Sequence, residues 1–162
     1  MGMRNILTLS AILALTLSVG AQVQPSDPQN YIKRTTYRVG TPTGNVSADE
    51  RVESITYFDG LGRPVQAIDA RAGGARENIV THMEYDGLGM QPRDYLPWAS
   101  EDEVTVGPLG FIPPATLRAD IGDFYDDARF GNTQNPYSEK RYEDSPLFRV
   151  EEQGAPGNDW AI

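Results

Sequence analysis

Two stretches of this chain constrain its fold more than any other: "YFDGLGRPVQ", Tyr57 to Gln66, and a partial copy, "EYDGLGMQPRD", Glu84 to Asp94. An Asp-Gly pair between alternating runs is a strong short-range hairpin signal, because glycine takes positive φ freely and aspartate can bond the backbone two residues on. The second glycine of each copy, Gly62 or Gly89, can take a further left-handed position and open the loop by a bulge. Turn geometry thus accounts for Asp59, Gly60 and Gly62, and for Asp86, Gly87 and Gly89. It leaves Leu61 and Leu88 unexplained, since a leucine at a wet turn tip gains nothing. Each leucine is expected to pack on a neighbouring hairpin, as in repeats that cannot bury their own face alone. Arg63, four residues past Asp59, can pair with it or stack on Tyr57, whereas the second copy carries Met90 at that position.

The flanks of both copies have the period of strands. In "RVESITYF", Val52, Ser54, Thr56 and Phe58 fall on one side and Glu53, Ile55 and Tyr57 on the other. After the turn, "RPVQAIDA" reads as the return strand, with Pro64 confined to a strand start or an edge. "NIVTHMEY" repeats the alternation, Ile79, Thr81, Met83 and Tyr85 against Val80, His82 and Glu84, and runs into the second copy. The offset from Asp59 to Asp86 is 27 residues, and a fixed offset between similar units is a mark of stacked repeats.

Elsewhere the organisation is coarser. "YIKRTTYRV" reads as a strand ending in the turn "GTPTGN". The 31–96 segment is thus a run of β-hairpin repeats, followed by a Pro/Gly-rich connection over 97–118 that is expected to be irregular. Within "LRADIGDFYDDARF" one short helix near 119–130 is expected, capped by Asp120 and holding Phe124 and Tyr125. The close returns to β chemistry around Arg141 and Tyr142, with a turn at Ser145-Pro146 and then a strand, "LFRVEEQ". The fold class is mostly β, antiparallel hairpins with one short helix.

The first 21 residues carry Arg4, a predominantly apolar run from Ile6 to Val19 and small residues at Val19 and Ala21, the pattern of a secretory signal peptide cleaved after Ala21. A run of 14 residues falls short of the roughly 20 that a spanning helix needs. Residues 22–30, polar and proline-bearing, read as a disordered lead, and the mature protein is expected to be secreted or at the cell surface, with no membrane span after cleavage. A net charge of −9 with no Lys/Arg run repels a phosphate backbone, which argues against nucleic acid as a partner. Without cysteine there is no disulfide, thiolate zinc site or cysteine nucleophile.

With these residues in view, "YFDGLGRPVQ" and "EYDGLG" resemble the YD repeats of RHS and teneurin-like proteins, Met90 departing from the pattern where the repeat arginine belongs. The ordered set "NYIKRTTYRV", "ITYFDGLGRPVQ", "IVTHMEYDGLG", "DYLPWAS", "NPYSEKRYEDSPLFRV" and "GAPGNDW" is also similar to an N-terminal domain of unknown function that precedes RHS repeats in secreted Gram-negative bacterial proteins. The resemblance covers about Asn30 to Trp160. It implies the beginning of a much larger protein or a truncated copy, hairpins of the RHS β-shell type that can enclose a toxin or effector, and as partners the downstream RHS/YD repeats of the same or a neighbouring chain. The structural motif would then be Tyr57, Asp59, Gly60, Leu61, Gly62 and Arg63 with Tyr85, Asp86, Gly87, Leu88 and Gly89.

No catalytic, cofactor or metal site emerges. Asp59 and Asp86 could form a carboxylate pair, but each has a task in its turn; His82 is the sole histidine, and no G-x-S-x-G, H-E-x-x-H or phosphate loop occurs. Asp120, Asp123, Asp126 and Asp127 lack the spacing of a calcium loop and suit capping or a solvated face. Tyr95, Trp98, Tyr125, Tyr137, Tyr142 and Trp160 are read mainly as packing residues. The rival reading makes the chain an extracellular carbohydrate-binding module in which Trp98 and Trp160 stack on sugar rings.

Overall fold

A computed structural model describes residues 29–100 and 109–162, so the expected signal peptide, nearly all of the polar lead and the middle of the Pro/Gly-rich connection lie outside the described residues. Strands β1 (Asn30–Tyr37), β2 (Arg51–Phe58), β3 (Pro64–Asp69) and β4 (Asn78–His82) form an antiparallel meander, completed by β6 (Trp98–Ser100) in the order β1-β2-β3-β4-β6. A second antiparallel sheet has the order β5 (Arg93–Tyr95), β7 (Tyr137–Tyr142), β8 (Val150–Gly154). With one α-helix, α1 (Pro114–Tyr125), the described chain is mostly β, as the alternation predicts.

Side-chain period places the core. On β2 the buried residues are Arg51, Glu53, Ile55 and Tyr57, the face expected for the last three. Ile55 faces Ile68 and Ile68 faces Val80 across the ladders, so one face of the sheet carries an apolar stripe. Leu109, Ile112 and, from α1, Leu117 and Ile121 close over that stripe. The Tyr57 hydroxyl donates to the Leu109 carbonyl at 2.5 Å, which allows a fully buried phenol without an unpaired polar atom. The same face turns charged toward the other end of β2. There Glu53, 2% exposed, meets Lys33 at 3.0 Å, Arg51 at 3.0 Å and Arg71 at 3.4 Å.

Several sequence expectations are corrected. The helix starts at Pro114 rather than near residue 119 and ends at Tyr125, and Asp120 lies inside it instead of capping it. Proline at the first turn has a preset φ and no N–H to leave unpaired, so "PP" begins the helix where it reads as a breaker. Phe130 belongs to a separate 3-10 turn, Ala128–Phe130, whose cap is Asp127. The expected irregular connection begins with a short strand, β6, and the final strand starts at Val150, not Leu147, because Phe148 takes φ +48° in a turn closed by Glu143 N–H to Arg149 O at 2.9 Å.

Candidate functional site

The doubled motif folds twice into one structure. In the first copy the Asp59 N–H donates to Arg63 O at 2.9 Å and the Gly62 N–H to Asp59 O at 3.0 Å; in the second, Asp86 N–H meets Met90 O at 2.9 Å and Gly89 N–H meets Asp86 O at 3.0 Å. Each aspartate then uses Oδ1 to accept two further backbone N–H groups, from Leu61 and Arg63 at 2.9 Å, and from Leu88 at 2.9 Å and Met90 at 2.8 Å. The side chain thus holds the loop shut from inside. Gly62 and Gly89 sit at φ +77° and +81°, so the second glycine supplies the left-handed residue, while Gly60 and Gly87 do not take positive φ.

The copies differ in what they join. The first links β2 to β3 as a hairpin within one sheet. The second carries the chain from β4 to β5, that is, from one sheet to the other, with a lone antiparallel bridge between Met83 and Asp94 at its base.

The expected packing of the leucines is overturned: Leu61 is 79% exposed and Leu88 71%. Both occupy turn tips held by backbone and aspartate bonds, and neither is buried on a neighbouring hairpin. What joins the copies is Arg63. Its Nε pairs with Asp59 Oδ2 at 2.7 Å, as one expectation had it, but its guanidinium stacks on Tyr85, 4.3 Å from the ring centroid, and not on Tyr57. The Tyr85 hydroxyl returns a bond to Pro64 O at 3.0 Å, and a side chain at Gly89 would meet Arg63 Nη1 at 3.1 Å. The Arg63 N–H, then the Arg63 guanidinium and the Leu61 N–H acting against desolvation, hold the Asp59 carboxyl below its ordinary range. Sequence reasoning missed the Tyr85 partner because it lies in the other copy; the loss of the arginine in copy two was the available hint. A double-mutant cycle of Arg63→Ala and Tyr85→Leu is expected to show a coupling of about 0.5–2 kcal/mol in chemical denaturation, and additive costs would reject the stack.

A second cluster lies beside the second turn. His82, 2% exposed, has its Nε2 3.5 Å from Glu84 Oε2, too long for a good hydrogen bond, and burial holds its pKa below 6.5 against the pull of Glu84. Glu84 is engaged elsewhere, accepting from Tyr95 at 3.2 Å and Arg118 at 3.1 Å. Burial and the Glu84 charge push the Tyr95 phenol up to about 12. This is an ion-pair network tying β5 and α1 to the end of β4. Among the described residues no group of three or more His, Cys, Asp or Glu is arranged to hold a metal. Asp126 bonds Gln134 at 2.9 Å and Asp127 bonds Arg129, so two of the four clustered aspartates have local partners.

The aromatic residues divide. Tyr95, Trp98 and Tyr125 pack against the core, and the Tyr125 hydroxyl donates to Pro97 O at 2.6 Å. Tyr137 packs on Tyr95 and carries the Arg93 guanidinium over its ring, while Trp160 is 69% exposed.

Fold and motif together define an antiparallel β protein in which one turn is used twice, once within a sheet and once between the two sheets. A family model described as a domain of unknown function (DUF6443) matches residues 31–162, and the chain belongs to that family. No curated protein and no solved structure matches it. No helix among the described residues is long and apolar enough to cross a membrane.

Proposed function

We propose that this chain is a non-catalytic structural segment of an exported RHS/YD-repeat protein, supplying strands to a β-shell that can enclose a toxin or effector. The observation that carries the reading is the interlock of the two copies: an identical turn used twice, the first reaching into the second through Arg63 and Tyr85. A catalytic pair would instead bring its carboxylates to a common cleft, and each aspartate here is consumed by its own loop. Two edges support a role in assembly. Along β1, Tyr31, Ile32 and Tyr37 are 45%, 64% and 44% exposed, and β8 is exposed over Val150–Gln153. An open edge with apolar side chains, as along β1, invites a further strand, while β8 offers an open edge whose exposed residues are polar apart from Val150.

The test is hydrogen exchange on the purified chain with and without a separately expressed array of YD repeats. Slowed exchange confined to β1 or β8 is expected; unchanged exchange at both edges with the array in excess would overturn the reading. The rival, a carbohydrate-binding module, is favoured by the exposed Trp160 alone. Glycan-array binding abolished by Trp160→Ala would establish it in place of the shell.

A further inference from the structure

In a chain of net charge −9, one cavity is lined by four arginines. It has a volume of about 590 Å³ and lies where the end of β1, the start of β2 and the β3–β4 loop meet, with Arg38, Arg51, Arg71 and Arg76 in its wall beside Asp49 and Asp69. Three of the four guanidiniums have partners. Arg51 is tied to Glu53 and to Val46 O at 3.2 Å, Arg71 to Glu53 and to Ala48 O at 3.2 Å, and Arg76 to Asp49 at 2.9 Å. Arg38 makes no ion pair among the described residues, its backbone N–H being fixed to Glu50 O at 2.8 Å. The Asp69 carboxylate is likewise without an ion pair there.

Two of these arginines hold backbones that L-residues avoid. Arg71 is at φ +54° and Arg76 at φ +71°, two of the four non-glycine residues with positive φ among those described. Glycine would take either conformation without strain, yet arginine stands in both. Residues kept in such conformations cluster at binding sites, where the surroundings fix them. For Arg71 the fixing contact is its N–H to Asn78 Oδ1 at 3.0 Å.

We infer that this cavity binds a sugar bearing one anionic group. A guanidinium fork matches a carboxylate or phosphate head, and Arg38, with no ion pair among the described residues, and Arg76, whose pair with Asp49 is exposed, are the two arginines of the wall that can offer it. The two aspartates in the same wall repel a bare multivalent anion but accept hydroxyl hydrogen bonds, so the ligand carries its charge at one end and hydroxyls on the rest. The head is a uronic carboxylate or a sugar phosphate. This site shares no residue with the doubled turn and stands apart from the shell proposal.

Calorimetric titration of the purified chain tests it with four probes: D-glucuronate, D-glucose 6-phosphate, D-glucose and inorganic phosphate. At least one of the first two is expected to bind ten or more times tighter than either of the last two, and which one identifies the head group. Binding by neither, or inorganic phosphate binding as tightly as both, overturns the inference. Arg76→Gly is expected to weaken that affinity at least tenfold while leaving Tm unchanged or raised, because glycine relieves the positive φ; Arg38→Gln should weaken it comparably. Undiminished affinity in both variants overturns the site. Asp69→Asn should narrow the preference for the sugar over inorganic phosphate at least threefold, and an unaltered ratio would reject the role given to the aspartates.

Discussion

Glu53→Gln should cost about 3–5 kcal/mol, the range for removing one partner of a buried ion pair, and leave much of the chain unfolded at neutral pH. The carboxylate is 2% exposed and its two oxygens serve Lys33, Arg51 and Arg71. Glutamine keeps the shape but not the charge. Arg51, itself 8% exposed, would then sit beside a neutral amide in a dry site, along with Arg71 and the half-buried Lys33. Urea denaturation read by far-UV circular dichroism measures the loss; a cost under about 1 kcal/mol would show that water reaches the cluster.

The same carboxylate sets an acid limb. Burial raises its pKa, but the bonds from Lys33 and Arg51 outweigh that and the net position is below 4.5. A carboxyl that is more acidic folded than unfolded adds stability above about 4.5, and that stability disappears as pH falls through the folded value. His82 acts earlier on the way down. Desolvation keeps it neutral in the folded chain, so below 6.5 the unfolded state takes up a proton first and stability declines. Stability measured by urea denaturation against pH should therefore fall in two stages, Glu53 and Asp59 both contributing to the lower one and His82 to the upper, which His82→Gln should remove.

Leu117→Ala should cost about 2–5 kcal/mol and loosen α1 before the sheets. The helix has 12 residues, too few to persist in water unaided, and its fully buried side chains are Leu117 and Ile121, each 0% exposed. Trimming Leu117 opens a void against Leu109, Val80 and the Tyr57 ring, the residues that share its core. The side-chain hydrogen bonds of α1, Tyr125 to Pro97 and Arg118 to Glu84, lie at exposed positions and cannot replace it. Hydrogen exchange is expected to speed up across 114–125 while β2 and β3 keep their protection. Uniform acceleration through β2 and β3 would mean that helix and sheet unfold as one unit.

Local chemistry made the central meander legible. Alternation in 51–58 and 78–82, with an Asp-Gly turn between the first pair of strands, specifies faces and pairing without knowledge of the rest. The turn bonds of Asp59 and Asp86 follow from the reach of an aspartate side chain, and they are found as expected. Where placement depends on distant partners, the reading fails. β5 and β6 are three residues each, shorter than any periodicity can reveal, and they are strands because β7 and β4 supply the ladders. Leu61 and Leu88 follow a rule about repeats in a stack, but the two turns are spent on different junctions, and both leucines stay largely exposed. The arginine cavity was invisible for the same reason, since it gathers residues from 38 to 76 through the folding of three separate segments.

The link from Arg63 to Tyr85 has a direction. It runs from the earlier copy to the later one, and the later copy offers Met90 where the next guanidinium would have to stand. A thioether can fill the space over a ring but cannot bridge it to a carboxylate, so the chain of handholds closes after a single step. The two copies are therefore not interchangeable: Met90→Arg would give the second loop the guanidinium that only the first now carries.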